Sequence, residues 1–237
     1  MSTTVALDGA VATMAGRVET QLRLAIDAFE RLDVGAAAQV VDADAAIDAD
    51  HVGIEARVFA MLSERRLTSE EARSVFTAFK VAGELERVGD LAKNVAKRVK
   101  TLASEPRVSA AAGVAAMGRA SQRQIGRVFD AYAARDLDAA RAVWGGDQTI
   151  DDHYYALFQA ILEAMAADSG QVSACVHLVF IAKNFERVGD HATNIAEALH
   201  FLVTGAPLAE ARPKGDDTPS TSVSPRADGS DDRGSGR

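Results

Sequence analysis

Apolar residues return every four and three positions over Val81, Leu85, Val88, Ala92, Val95, Val99 and Leu102, and again over Ile181, Phe185, Val188, Ala192, Ile195, Leu199 and Leu202. A four-three alternation is the seam of a helix that lies against its neighbours at a small crossing angle. No stretch shows the alternate-residue pattern of a half-buried strand. Long Ala-rich segments and a single proline between Met1 and Ala206 extend the helical reading along the chain. Helix boundaries are legible too. Asp33 to Gly35 separates a first helix from a second, Thr68-Ser69-Glu70-Glu71 has the spacing of a capping box that opens a third, and Pro106 stops that one.

The plan then repeats. Val11-Ala12-Thr13-Met14 is matched by Val114-Ala115-Ala116-Met117, and Asp44-x-x-Ile47-Asp48 by Asp147-x-x-Ile150-Asp151, both 103 residues on. Glu86-Arg87-Val88-Gly89-Asp90 recurs as Glu186-Arg187-Val188-Gly189-Asp190 at an offset of 100, inside a window where eight of fifteen positions are identical. The cap recurs as Asp168 with Gln171. The chain therefore reads as an all-α protein of six long helices, in two tandem, pseudo-symmetric three-helix bundles over residues 1–105 and 106–205. From Ala206 the composition shifts to Pro, Gly, Ser, Asp and Arg, so residues 206–237 are predicted to be a disordered polar tail.

Charge and composition narrow the class. A net charge of -8 over 237 residues argues against a general nucleic-acid surface, which needs Lys and Arg in excess on one face. The first thirty residues lack a basic start and an apolar core, so no secretory signal is expected. The longest uncharged apolar stretch, Gln171 to Ala182, is short of the roughly 20 residues of a membrane helix. A soluble cytoplasmic protein is the expectation, and the single Cys175 reads as a buried, inert thiol.

Candidate chemistry lies on the third helix of each unit. Helical geometry puts Glu86, Asp90 and Asn94 on one stripe nearly opposite the seam, and Glu186, Asp190, Asn194 and Glu197 on its copy, so both stripes are predicted to face outward. Asn and Asp are poor helix-interior residues, yet both are repeated. Gly89 and Gly189 each cost about 1 kcal/mol in mid-helix and call for close approach of a helix or ligand. The second helices add Asp44 and Asp48, and Asp147 and Asp151. Carboxylates four residues apart repel, and a cation reverses that sign. Clustered oxygen ligands suit hard cations or iron, so each unit is predicted to carry a multicarboxylate metal site. His51, His153, His177, His191 and His200 have no histidine counterparts and stand outside the repeated set. The chain has neither a phosphate loop nor a nucleophile beside a repeated base. Two classes of function fit: a regulatory adaptor, or a metal-dependent phosphatase or metal-storage bundle.

The segments Glu84 to Asn94 and Phe185 to Glu197 resemble the paired signatures of PhoU, the bacterial phosphate-uptake regulators, with the resemblance running from about 11 to 204. It implies a six-helix cytoplasmic protein, usually a homodimer, that is not an enzyme. It also implies an adaptor linking the ATPase of a phosphate ABC transporter to a phosphate-sensing histidine kinase, associated only peripherally with membrane complexes. Such an adaptor serves phosphate homeostasis by keeping the starvation response off when phosphate is ample. The family's E(D)-x-x-x-D metal motifs fall on Glu86 with Asp90 and Glu186 with Asp190, with Asp44, Asp48, Asp147 and Asp151 on adjacent helices. Iron, zinc, magnesium, manganese or nickel are the ions this implies. Glu197 stands where the first unit has Lys97, so two such sites are expected to differ in charge and affinity.

Overall fold

A computed structural model describes residues 3–64 and 66–209, save the side chains of residues 3, 4, 64 and 147. The described residues form helices and no strand: α1 (Thr3–Arg31), α2 (Val34–Glu64), α3 (Ser69–Leu102), α4 (Ala111–Ala134), α5 (Leu137–Gly145), α6 (Asp147–Ala167) and α7 (Val172–Thr204). All fourteen seam residues of α3 and α7 are buried. None of these helices is long and apolar enough to cross a membrane. The predicted tail lies outside the described residues from position 210 on.

The first unit is α1, α2 and α3; the second is α4, a broken middle helix α5 and α6, and α7. The break is a difference from the expected six continuous helices. It falls at Gly145-Gly146, where α2 has Asp42-Ala43, and two adjacent glycines weaken a helix by roughly 1 kcal/mol each. The Gly146 N–H still bonds the carbonyls of Ala142 and Val143 at 3.1 Å, so the chain turns without orphaning that group.

The turns repeat as the helices do. Leu32 and Arg135, 103 apart, both take left-handed backbone angles (φ 54 and 55), and the aspartate after each caps the next helix. Asp33 Oδ1 accepts from Ala36 N at 2.9 Å, and Asp136 Oδ1 from Asp138 N and Ala139 N at 3.0 Å. Thr68 and Glu71 form the predicted capping box in both directions. At the second site Asp168 accepts from Gly170 N and from the Gln171 side chain, and a single 3-10 turn, Ser169–Gln171, precedes α7.

The units meet along α3 with α7 and α1 with α4. The first pair runs antiparallel: Phe76 packs edge-on against Phe201 at one end, and at the other Arg98 lies 4.2 Å over the Phe180 ring and meets His177. In the second pair Arg119 holds Asp27 and Glu30, and Arg135 faces Asp8 at 3.5 Å. α2 then fills the groove of α1 and α3, and α5 and α6 that of α4 and α7, so α3 and α7 have neighbours on several sides.

Core volumes are exchanged between the copies. The ring of Phe185 lies under Gly118, where an added Cβ would come within 2.7 Å of it. The equivalent positions in the first unit hold Ala15 and Leu85, both buried. A larger side chain on one helix is matched by a smaller one on its neighbour, as close packing demands.

Candidate functional site

In the first unit the acidic residues gather between α2 and α3. Gly89 lets the helices close: a Cβ there would sit 3.1 Å from Gln21 Oε1 and 3.3 Å from Ile47. The close approach inferred from the mid-helix glycine is thus that of α1 and α2. It brings Asp44, 4% exposed, to the Asp90 side of α3. Gln21 Nε2 donates to Asp44 Oδ1 at 3.0 Å. Lys93 donates to both carboxylates, to Asp44 Oδ2 in a short contact and to Asp90 Oδ1 at 2.7 Å. These two hydrogen bonds hold the Lys93 ammonium well above the usual lysine range despite burial. Glu86 is half-buried beside the exposed Arg87, and burial pushes its carboxyl up against the pull of that guanidinium. Asp48 and Asn94 are exposed.

The second groove lies between α6 and α7 and is more closed. Glu186 and Asp151 are each 6% exposed, and Asp190 is half-buried. Lys183, at the mouth above the Tyr154 ring, donates to Glu186 Oε1 at 3.0 Å. Glu186 Oε2 is buried with no hydrogen-bond partner. Burial, opposed by Lys183 and reinforced by Asp190 and Asp151, pushes the Glu186 carboxyl up to about 7. The residue equivalent to Lys93 is Thr193, fully buried, whose hydroxyl bonds back to Gly189 O at 3.1 Å. The side chain of Asp147, one turn before Asp151, lies outside those described.

The expected outward stripes are corrected by this packing. Glu86 and Asp90 are half-buried and Glu186 is buried, because α2 and α6 cover flanks of α3 and α7 that a lone-helix projection leaves open. Two residues of the second stripe point elsewhere. Asn194 joins His191 on Glu84 of α3, at 3.0 and 2.6 Å, and Glu197 accepts from Trp144 Nε1 of α5 at 3.2 Å. Against its burial, the bonds from His191 and Asn194 hold the Glu84 carboxyl below the usual range. Among the described residues no three carboxylate, imidazole or thiol groups converge tightly enough to hold an ion as they stand. Cys175 is buried, as expected, and burial pushes its thiol up.

Sequence reasoning missed the groups that tie the grooves together. Gln21 and Gln124 are 103 apart and make the same bond, Nε2 to the Val40 carbonyl at 3.3 Å and to the Val143 carbonyl at 3.2 Å. The repeat offset already marked that pair. Lys93 and Lys183 carried no such mark, since neither is matched by a lysine in the other unit.

Three comparisons bear on this architecture. A family profile described as the PhoU domain matches the chain twice, at residues 11–99 and 114–199. The phosphate-specific transport system accessory protein PhoU homolog of Caulobacter vibrioides is 39% identical over 209 residues, covering 88% of this chain and 91% of that one. The accessory protein PhoU of Escherichia coli K12 is 29% identical over 82% of this chain and 81% of its own. The crystal structure of PhoU from Pseudomonas aeruginosa superposes with a TM-score of 0.83 at 30% identity, covering 86% of this chain and 99% of that one.

Proposed function

The chain belongs to the PhoU family, and on that footing we propose that it is a cytoplasmic regulator of phosphate uptake and a negative regulator of the phosphate-starvation response. It acts as an adaptor between the ATPase subunit of a phosphate transporter and a phosphate-sensing histidine kinase, working as a homodimer and reaching the membrane only through those complexes. The observation that carries the reading is the double match, with two PhoU domains spanning most of a chain that covers nine-tenths of a phosphate-transport accessory protein. The exposed Phe59, Leu62, Phe76 and Phe79 give apolar surface for protein contacts.

The acidic grooves are its metal-responsive element. Glu186 Oε2 is a buried carboxylate oxygen without a partner, and the surrounding donors are oxygens, so the second groove fits a hard divalent ion or iron held by Glu186, Asp190 and Asp151. When bound, such an ion supplies two positive charges. At an effective dielectric near 20 and 4 Å, each unit charge corresponds to about 4 kcal/mol before screening, enough to change a partner's affinity tenfold or more. In this reading the groove residues bind and present charge rather than turn over a substrate.

Deleting the protein in its own cell is expected to leave starvation genes on at high phosphate. A version with Glu86→Gln, Asp90→Asn, Glu186→Gln and Asp190→Asn restores control poorly. Normal repression in the deletion strain contradicts the reading. Hydrolysis of phosphate esters by purified protein, abolished by the same substitutions, replaces it with the phosphatase.

A further inference from the structure

The seam between the two units opens into a cleft at each end. The first, of about 510 Å³, lies where the C-terminal ends of α1 and α3 meet the N-terminal ends of α4 and α7, with Pro106 and Val108 of the connector in its wall. The second, of about 560 Å³, lies at the opposite ends of α1, α4 and α7. Both have the size of small-molecule sites, and both sit at a junction between units, where such sites concentrate.

The repeat relates the two clefts and also separates them. Phe29 and Leu32 of the first have Tyr132 and Arg135 of the second as counterparts, and Ala111 of the first has Asp8. In the second cleft Arg135 and Asp8 face each other from α4 and α1 at 3.5 Å. In the first, a leucine and an alanine stand in their places. Its bulk comes from Phe29, Leu102, Val108 and Leu178, and small residues such as Ala115 and Ala174 leave the space open. An apolar cavity of this kind holds water poorly and takes apolar guests.

Two charged residues reach the first cleft. Glu30 is held by Arg119, whose nitrogens lie 2.6 and 3.1 Å from its oxygens. Arg107 is exposed and forms no ion pair among the described residues. The cleft therefore offers an apolar interior with one uncompensated cation at its edge, which complements a hydrocarbon chain that ends in an anion. In the second cleft Asp8, Glu19 and Asp130 outnumber Arg135, so an anion is disfavoured there.

We propose that the first cleft binds an aliphatic carboxylate, its chain among Phe29, Leu102, Val108 and Leu178 and its carboxylate on Arg107. Such a ligand touches both units and their connector at once. Leu102 and Leu178 lie 12 residues from Asp90 and Asp190, about 18 Å along their helices, so the site is separate from the acidic grooves.

The test titrates the full chain, by calorimetry and below micelle formation, with hexanoate, octanoate and decanoate. Affinity is expected to rise about fourfold per methylene, the value of burying one. Decyltrimethylammonium, with the same chain and the opposite charge, is expected to bind at least about threefold more weakly, and Arg107→Gln to weaken decanoate by about the same factor and abolish the preference. Ala112 lines the cleft from an exposed turn of α4, and position 9 is its counterpart in the second cleft. Ala112→Trp is expected to weaken decanoate about tenfold or more by taking up the space of the buried chain, whereas Gly9→Trp changes it by less than about twofold. No binding of decanoate, or affinity that does not depend on chain length, overturns the site. Equal losses in Ala112→Trp and Gly9→Trp place the ligand outside this cleft and overturn it too. Equal affinity for the ammonium and the carboxylate overturns the chemical class. If Ala112→Trp loses its helical circular dichroism, the chain-length series and the surface variant Arg107→Gln decide the question.

Discussion

In the first groove the residue three places after Asp90 is a lysine that spans to α2; in the second, the same place holds a threonine folded onto its own helix, and a lysine three places before Glu186 reaches in from the rim. The motif residues are identical in the two copies, yet Asp44 is satisfied by Gln21 and Lys93 while Glu186 keeps an orphaned oxygen. A duplicated motif thus fixes where the helices meet, and its charge balance is decided by neighbours that the duplication did not keep. The packing tells the same story: Ala15 with Leu85 and Gly118 with Phe185 fill equivalent space by opposite choices.

The contrast is broken most severely at Lys93. Without metal, Lys93→Met leaves Asp44 buried with no cation and is expected to cost about 3 kcal/mol in urea unfolding, whereas Thr193→Val costs about 1 kcal/mol, the value of one hydroxyl bond. A loss at Lys93 no larger than at Thr193 means that the ammonium is not the first groove's counter-charge. Next is the exchanged core. Gly118→Ala drives a Cβ into the Phe185 ring and is expected to cost roughly 1–3 kcal/mol. Adding Phe185→Leu, which rebuilds the first unit's pair, recovers most of the over-packing; a double variant less stable than the single one shows that the copies are not interchangeable there.

Smaller effects sharpen the picture. Because burial raises the Glu186 carboxyl to about 7, the group is ionised at pH 8 at a cost to the metal-free fold that the unfolded chain does not bear, so Glu186→Gln is expected to raise thermal stability at that pH by on the order of 1 kcal/mol. Glu86→Gln, in the more open groove, changes it less, and a melting temperature lowered by Glu186→Gln contradicts the orphaned-oxygen account. The caps differ least. Thr68→Ala breaks a reciprocal box and is expected to cost about 1 kcal/mol, and Asp168→Ala, which frees one backbone N–H before a 3-10 turn, somewhat less. Chemical denaturation midpoints order the two.

Much of this was legible before any coordinates. The four-three seams located α3 and α7, the offsets located the second unit, and Thr68 with Glu71 located a helix start to the residue. Two kinds of feature were not. Leu32 and Arg135 take left-handed angles with no glycine to announce them, and only the aspartate after each was a signal. The groove was misread as an outward face because helical projection treats α3 alone, whereas its exposure depends on how many helices surround it. Lys93 escaped notice for a related reason: searching for repeated residues selects what the copies share, and the residue that sets them apart is by construction missing from that set.

The most direct measurement is anomalous diffraction from crystals of the full chain grown with manganese(II). The account predicts a peak between α6 and α7, within coordination distance of Glu186, whose second carboxylate oxygen is buried without a partner. Crystals with no manganese peak beside Glu186 contradict it.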